Sequence, residues 1–222
     1  MELSAVILAR ALYFLEVLDL NPRGAANFFA TCGELTKRFG FAKFPQKLED
    51  FDASKGITFE HGYLDGATVE RFVVYQNGLQ VDTRADTDVS DKILLGILDI
   101  ASSELGYTYR PEMITHKAYV SQFTFHSDAA LLSFSPFVNR VSEDVSKIVS
   151  VNMKSSATFR PSAIQISVDP HNQKYPIAPF SIERRAQTPF SENKYFSSAP
   201  LPTKIHISLV TEYEETVSSS KK

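Results

Sequence analysis

Two short stretches of the chain hold the residue types that acid–base chemistry uses. In Asp169-Pro170-His171-Asn172 a carboxylate stands two residues from an imidazole that it could orient as a base, and Arg184-Arg185 could stabilise an anionic group beside it. Were neighbouring strands to bring Asp169, His171, Arg184 and Arg185 together, the result would suit a hydrolase or transferase. The same residues have a plainer reading. Asp-Pro-His-Asn is a turn-forming string, and consecutive residues of a strand point to opposite faces, so one arginine is left for a salt bridge or a partner contact.

The other histidines, His61, His116, His126 and His206, follow no ligand or catalytic spacing: His-Glu-x-x-His is missing, and His206-Ile207-Ser208 is a lone His-x-Ser. Cys32 is the only cysteine, which rules out an internal disulfide and a cysteine-based zinc site within one chain. It stands near Phe28, Phe29 and Leu35, where a small buried hydrophobe is expected rather than a reactive thiolate. Gly24 and Gly33 make no phosphate-binding loop, and neither the dinucleotide nor the Walker pattern occurs. No metal and no cofactor are therefore expected.

Aromatic residues number 17 Phe and 9 Tyr, with no Trp. Phe39, Phe41 and Phe44 alternate with Arg38 and Lys43, a mixture that stacks bases in some single-strand binders but more often packs a loop onto a core. A formal charge of -3 gives no general field for collecting phosphates, so general nucleic-acid binding is not expected. From Pro170 to Thr203 the chain mixes prolines with Phe, Tyr and Arg, including Phe190, Tyr195 and Phe196. Proline lowers the entropy lost on ordering, and aromatics and arginine anchor interfaces, so this stretch reads as a binding arm for a protein partner or a second copy. Its alternative is a long loop covering a sheet edge.

These residues need elements to position them. All nine glycines lie at or before Gly106, while nine of the eleven prolines lie at or after Pro111, which marks two halves with different turn chemistry. The halves are taken as residues 1–110 and 111–217, sharing one core, with a polar tail at 218–222. Arg10 to Leu18 fits either period; Asn21-Pro22-Arg23-Gly24 closes it sharply and favours a strand. A helix follows over Ala26 to Arg38, with Gly40 as a stop. Gly56 to Thr83 predicts a three-strand meander with turns at Asp65-Gly66 and Asn77-Gly78. Asp88 then opens a helix whose stripe is Val89, Ile93, Leu94, Ile97, Leu98, Ala101 and Leu105.

In the second half, Ala118 to Phe125 alternates as a strand, and Ser135-Pro136 caps a helix that should carry Phe137, Val141, Val145, Ile148 and Val149 inward. Ala163 to Val168, Phe180 to Arg185 and Lys204 to Tyr213 read as three further strands. The expected fold class is α+β, one or more antiparallel sheets covered by a few helices, and the shared strand-helix-three-strand order suggests pseudo-repeated halves. No run reaches membrane-spanning length, and the single cysteine favours a reducing compartment, so the protein is expected to be cytoplasmic. The leading functional expectation is a non-enzymatic interaction or assembly subunit. Its rivals are the Asp/His/Arg hydrolase or transferase and a regulatory small-ligand binder with a pocket between sheet and helices.

Overall fold

The computed structural model describes residues 1–64, 66–133, 135–169, 171 and 175–219. In chain order its elements are β1 (Glu2–Phe14), α1 (Phe28–Phe39), β2 (Ile57–Leu64), β3 (Ala67–Tyr75), β4 (Gly78–Thr83) and α2 (Thr87–Glu104), then β5 (His116–His126), α3 (Pro136–Met153), β6 (Ala163–Ile166), β7 (Phe180–Arg184), β8 (Lys194–Ala199) and α4 (Thr203–Ser219). The strands form one eight-stranded antiparallel sheet in the order β2-β3-β4-β1-β5-β8-β7-β6, so the fold class is α+β. The element types run β-α-β-β-β-α twice, without a matching repeat of residues. Two compact units divide the chain: residues 6–121 with 200–204, and residues 1–5 with 122–199 and 205–222.

In the first unit, alternate residues of β1 to β4 turn Ala11, Tyr13, Phe59, Phe72 and Val81 into a core that α1 and α2 complete. Helix α1 starts at Asn27, whose side chain accepts the Ala30 N–H, and stops at Gly40 in the left-handed conformation. The cap of α2 is Asp86 rather than Asp88. Its carboxylate accepts the Asp88 N–H, which leaves Asp88 in the first turn, where a negative charge suits the helix dipole. Ile93, Leu94, Ile97 and Leu98 are buried as the stripe predicts.

The opposite face of the same strands carries a transverse row of alternating charge, because the register sets Glu60 against Arg71, Arg71 against Asp82 and Asp82 against Arg10. Arg10 donates twice to Asp82, at 2.7 and 2.8 Å, and Lys43 reaches Glu60 at 2.9 Å. The hydrogen bond to Asp82 raises the Arg10 pKa against the opposing effect of burial.

Two local expectations for this unit need correcting. β1 is a strand, but it runs back to Glu2 and ends at Phe14, with a 3-10 turn at Val17–Leu20 where the strand was expected to continue. The β3–β4 hairpin turns at Gln76-Asn77, pairing Tyr75 with Gly78, and neither Asn77 nor Gly78 has positive φ. Gly78 is required for space instead: a Cβ there would stand 2.6 Å from the Tyr13 carbonyl oxygen. For the turn at Asp65-Gly66, Asp65 lies outside the described residues, while Gly66 has φ 84°.

The second unit has its own core of Phe123, Phe125, Leu131, Leu132, Ile182, Tyr195 and Val210. Lys204 to Tyr213, expected as a strand, lies within α4. Its alternating Ile205, Ile207 and Leu209 suggest period two, but the buried positions are Thr203, His206, Val210, Glu214 and Val217, spaced three and four apart. Polar residues hold much of the inward stripe, which hides the helical period. The supposed arm from Pro170 to Thr203 contains β7 and β8, and β8 lies inside the sheet between β5 and β7. Tyr195, Ser197 and Ala199 alternate inward along it, with a serine where a hydrophobe would have signalled a strand. No helix among the described residues is long and apolar enough to cross a membrane.

Candidate functional site

Among the described residues no side-chain hydrogen bond or ion pair joins Asp169, His171, Arg184 and Arg185 into one group. The Asp169 carboxylate accepts the backbone N–H of His171 at 2.9 Å, a local turn bond, and the neighbouring Pro170 and Asn172 lie outside the described residues. Arg184 is used structurally: it donates to the carbonyls of Pro161 (3.3 Å) and Phe190 (2.9 Å), and its guanidinium lies 4.5 Å from the Phe190 ring centroid. Arg185 is exposed, on the strand end that follows. Among the described residues no group of three or more His, Cys, Asp or Glu could hold a metal ion.

A different serine–histidine pair lies inside the second unit. Ser197 Oγ and His206 Nε2 are 2.8 Å apart, both residues fully buried, with the His206 ring 4.5 Å from that of Phe123. The hydroxyl's single hydrogen goes to the Ser181 carbonyl at 2.7 Å, so His206 must donate to Ser197 rather than accept from it. A base that activates a serine works in the other direction, so this pair ties α4 to β8 and is no nucleophile.

A third polar group surrounds Asp91 on α2. Its Oδ2 accepts from Tyr119 at 2.9 Å, while Oδ1 is enclosed without a partner among the described residues. Lys117 donates to the Tyr13 hydroxyl at 2.8 Å. Burial, with the Asp91 charge and hydrogen bond behind it, raises the Tyr13 pKa, and burial with Asp91 pushes Tyr119 up to about 12. Both phenols therefore remain protonated donors at neutral pH. Burial likewise pushes the Cys32 thiol up to about 12, which keeps it from acting as a thiolate.

Of the expected interface residues, Tyr195 is fully enclosed, its hydroxyl accepting the Leu131 N–H at 3.1 Å, so its ring belongs to the core of its own unit. Burial raises its pKa. Phe196 is half-buried on the other sheet face, and Phe190 is at the surface under Arg184. The aromatics Phe39 and Phe41 are also core: their rings stand 5.6 Å apart and Phe41 lies 5.3 Å from Phe59, while Phe44 is exposed.

The surface that lacks an internal explanation is α3. Ser135 caps it by accepting the Val138 N–H, with Pro136 in the first turn, as the sequence predicts. Its packing departs from expectation: no residue of α3 is buried, Val145 and Val149 are half-buried, and Phe137, Ile148 and Val151 are 74%, 60% and 76% exposed. The face turned toward the protein is the serine side. Ser146 Oγ accepts the Phe159 N–H at 2.8 Å and Ser150 Oγ accepts the Ala157 N–H at 2.9 Å, so the chain leaving α3 runs back along it through hydroxyl bonds. Those bonds occupy the side a core would otherwise have taken, which leaves the apolar stripe outward. Amphipathic periodicity alone could identify this stripe but not what it faces. No protein-family model matches the chain, and comparison with curated proteins likewise finds no match.

Proposed function

We propose that the chain is a non-enzymatic assembly subunit that associates with a second copy of itself through α3. The observation that carries this reading is the exposure of Phe137, Val138, Val141, Ile148, Val151 and Met153 on one helix whose polar side is already engaged. Of these, Phe137, Val141, Ile148 and Val151 share one stripe and present roughly 400 Å² of mainly apolar surface, within the range of a monomer's largest patch and about half of the ~800 Å² that each partner of a stable complex buries.

The spacing suits a two-fold pair. In an antiparallel arrangement Phe137 of one copy meets Val151 of the other and Val141 meets Ile148, so larger side chains face smaller ones on both sides of the axis. Asp144, close to that axis, already has Lys147 of its own helix at 3.8 Å to offset its charge. The hydrolase or transferase reading has no comparable support, since its four residues are engaged separately or exposed.

Sedimentation velocity tests the proposal. The wild type should run as a dimer at tens of micromolar, and Phe137→Asp with Ile148→Asp should run as a monomer with an unchanged circular-dichroism spectrum. A monomeric wild type would overturn self-association, and a dimer indifferent to both substitutions would remove α3 from the contact.

A further inference from the structure

Within the first unit, residues of β2, β3 and the start of α2 line an open cleft of about 390 Å³, a volume in the range of small-ligand sites. Its walls divide by chemistry. Leu64, Ala67 and Val89 are partly buried and pack on the main core, and Ile93 is buried behind them. Arg84 and Lys92 stand at the rim, both exposed. Glu70 approaches Arg84 Nε at 3.4 Å, which steers the guanidinium while leaving its terminal amino groups without a partner among the described residues. Lys92 forms no ion pair among the described residues.

The start of α2 cannot itself supply donors, because its first N–H groups are taken: Thr87 donates to Thr203 Oγ1 and Asp88 to Asp86. An anion in this cleft must therefore be held by side chains. An apolar floor beneath two cations matches a ligand with a short hydrocarbon body and a single negative head.

We infer that this cleft binds a small amphipathic carboxylate, its hydrocarbon body on Leu64, Ala67, Val89 and Ile93 and its carboxylate between Arg84 and Lys92. The inference rests on a different surface from α3 and does not depend on self-association. Each half of the ligand has a separate test. Acetate offers the head without the body, and 1-hexanol offers a body without the charge, so both should bind far more weakly than octanoate.

Isothermal titration of the full chain with octanoate at low salt should give one site per chain. Arg84→Gln with Lys92→Gln should weaken it about tenfold and flatten its salt dependence, since charge on the rim supplies that part of the affinity. Ala85→Trp, at an exposed rim position, should abolish binding by filling the cleft. Amide shifts of the wild type on adding octanoate should centre on residues 64–68 and 84–93, and this readout decides the matter even if a variant fails to fold. Absence of octanoate binding, shifts centred elsewhere, or folded variants that bind as the wild type does would each overturn the inference.

Discussion

Replacing Leu94 with Ala offers the sharpest check on the first core, because the next residue provides its own control. Leu94 is 0% exposed and Leu95 is 36% exposed, on adjacent positions of the same helix. Both substitutions exchange leucine for the better helix former, so intrinsic propensity cancels between them. Loss of three carbons from water-free surroundings costs roughly 2.4 kcal/mol at about 0.8 kcal/mol per methylene. A cavity contribution is added where neighbours cannot close the space, and here they are residues held by the sheet and the other helix. The sum for Leu94→Ala is about 3–4 kcal/mol, inside the 2–5 kcal/mol range of such substitutions. Leu95→Ala keeps part of its surface in water in both states and should cost about 1 kcal/mol. Urea unfolding followed by circular dichroism measures both, with an unchanged slope as the sign that only stability has moved. Leu132→Ala, in the separate second core, should add to Leu94→Ala within about 0.5 kcal/mol. Equal costs for Leu94→Ala and Leu95→Ala would refute the burial argument.

Three further outcomes follow from particular contacts. Ser197→Ala removes the hydroxyl that accepts the His206 Nε2–H in an enclosed core and should cost about 1–3 kcal/mol in the same urea assay; a neutral change would mean that this bond contributes nothing to stability. Tyr119, pushed up to about 12, has a folded pKa above the unfolded value of about 10, so the fold favours the protonated phenol. That contribution is whole below about pH 10 and is lost as pH rises through 12, so a near-ultraviolet phenolate titration should show a class of tyrosines ionising later in folded than in unfolded protein. Gly78→Ala should destabilise by about 1–3 kcal/mol because its Cβ meets the Tyr13 carbonyl oxygen rather than a movable side chain, and a thermal melt matching wild type would count against that geometry.

Legibility varied with how directly a pattern reports its own surroundings. α2 was readable because its inward stripe is wholly apolar from Ile93 to Leu98, and the β2–β3–β4 meander because β-branched and aromatic residues coincide with turn residues. α4 was misread because Thr203, His206 and Glu214 occupy inward positions, and their burial depends on partners that no local window contains. His206 is buried with its ring on Phe123 and its Nε2–H donated to Ser197, both on other elements. β8 was hidden for the same reason, its inward serine being satisfied by the Ser181 carbonyl and the α4 imidazole. The candidate catalytic residues are engaged separately, Asp169 in a local turn bond to His171 and Arg184 with the carbonyls of Pro161 and Phe190.

Helices α1 and α3 carry the argument one step further, because both are amphipathic and both are capped by a polar side chain, Asn27 and Ser135. For α1 the apolar side is the one that meets the sheet, with Cys32, Leu35 and Phe39 buried. For α3 the serines meet the returning chain, and the hydrocarbon is left to water. Amphipathicity fixes that a helix has two faces; the hydrogen bonds made by the polar face decide which of them the fold consumes. Burying Phe137 and Ile148 would require α3 to rotate and surrender the bonds from Ala157 and Phe159. In the proposed self-association a second molecule would cover the same stripe without breaking them, at no cost in the hydrogen bonds that an internal rearrangement would lose.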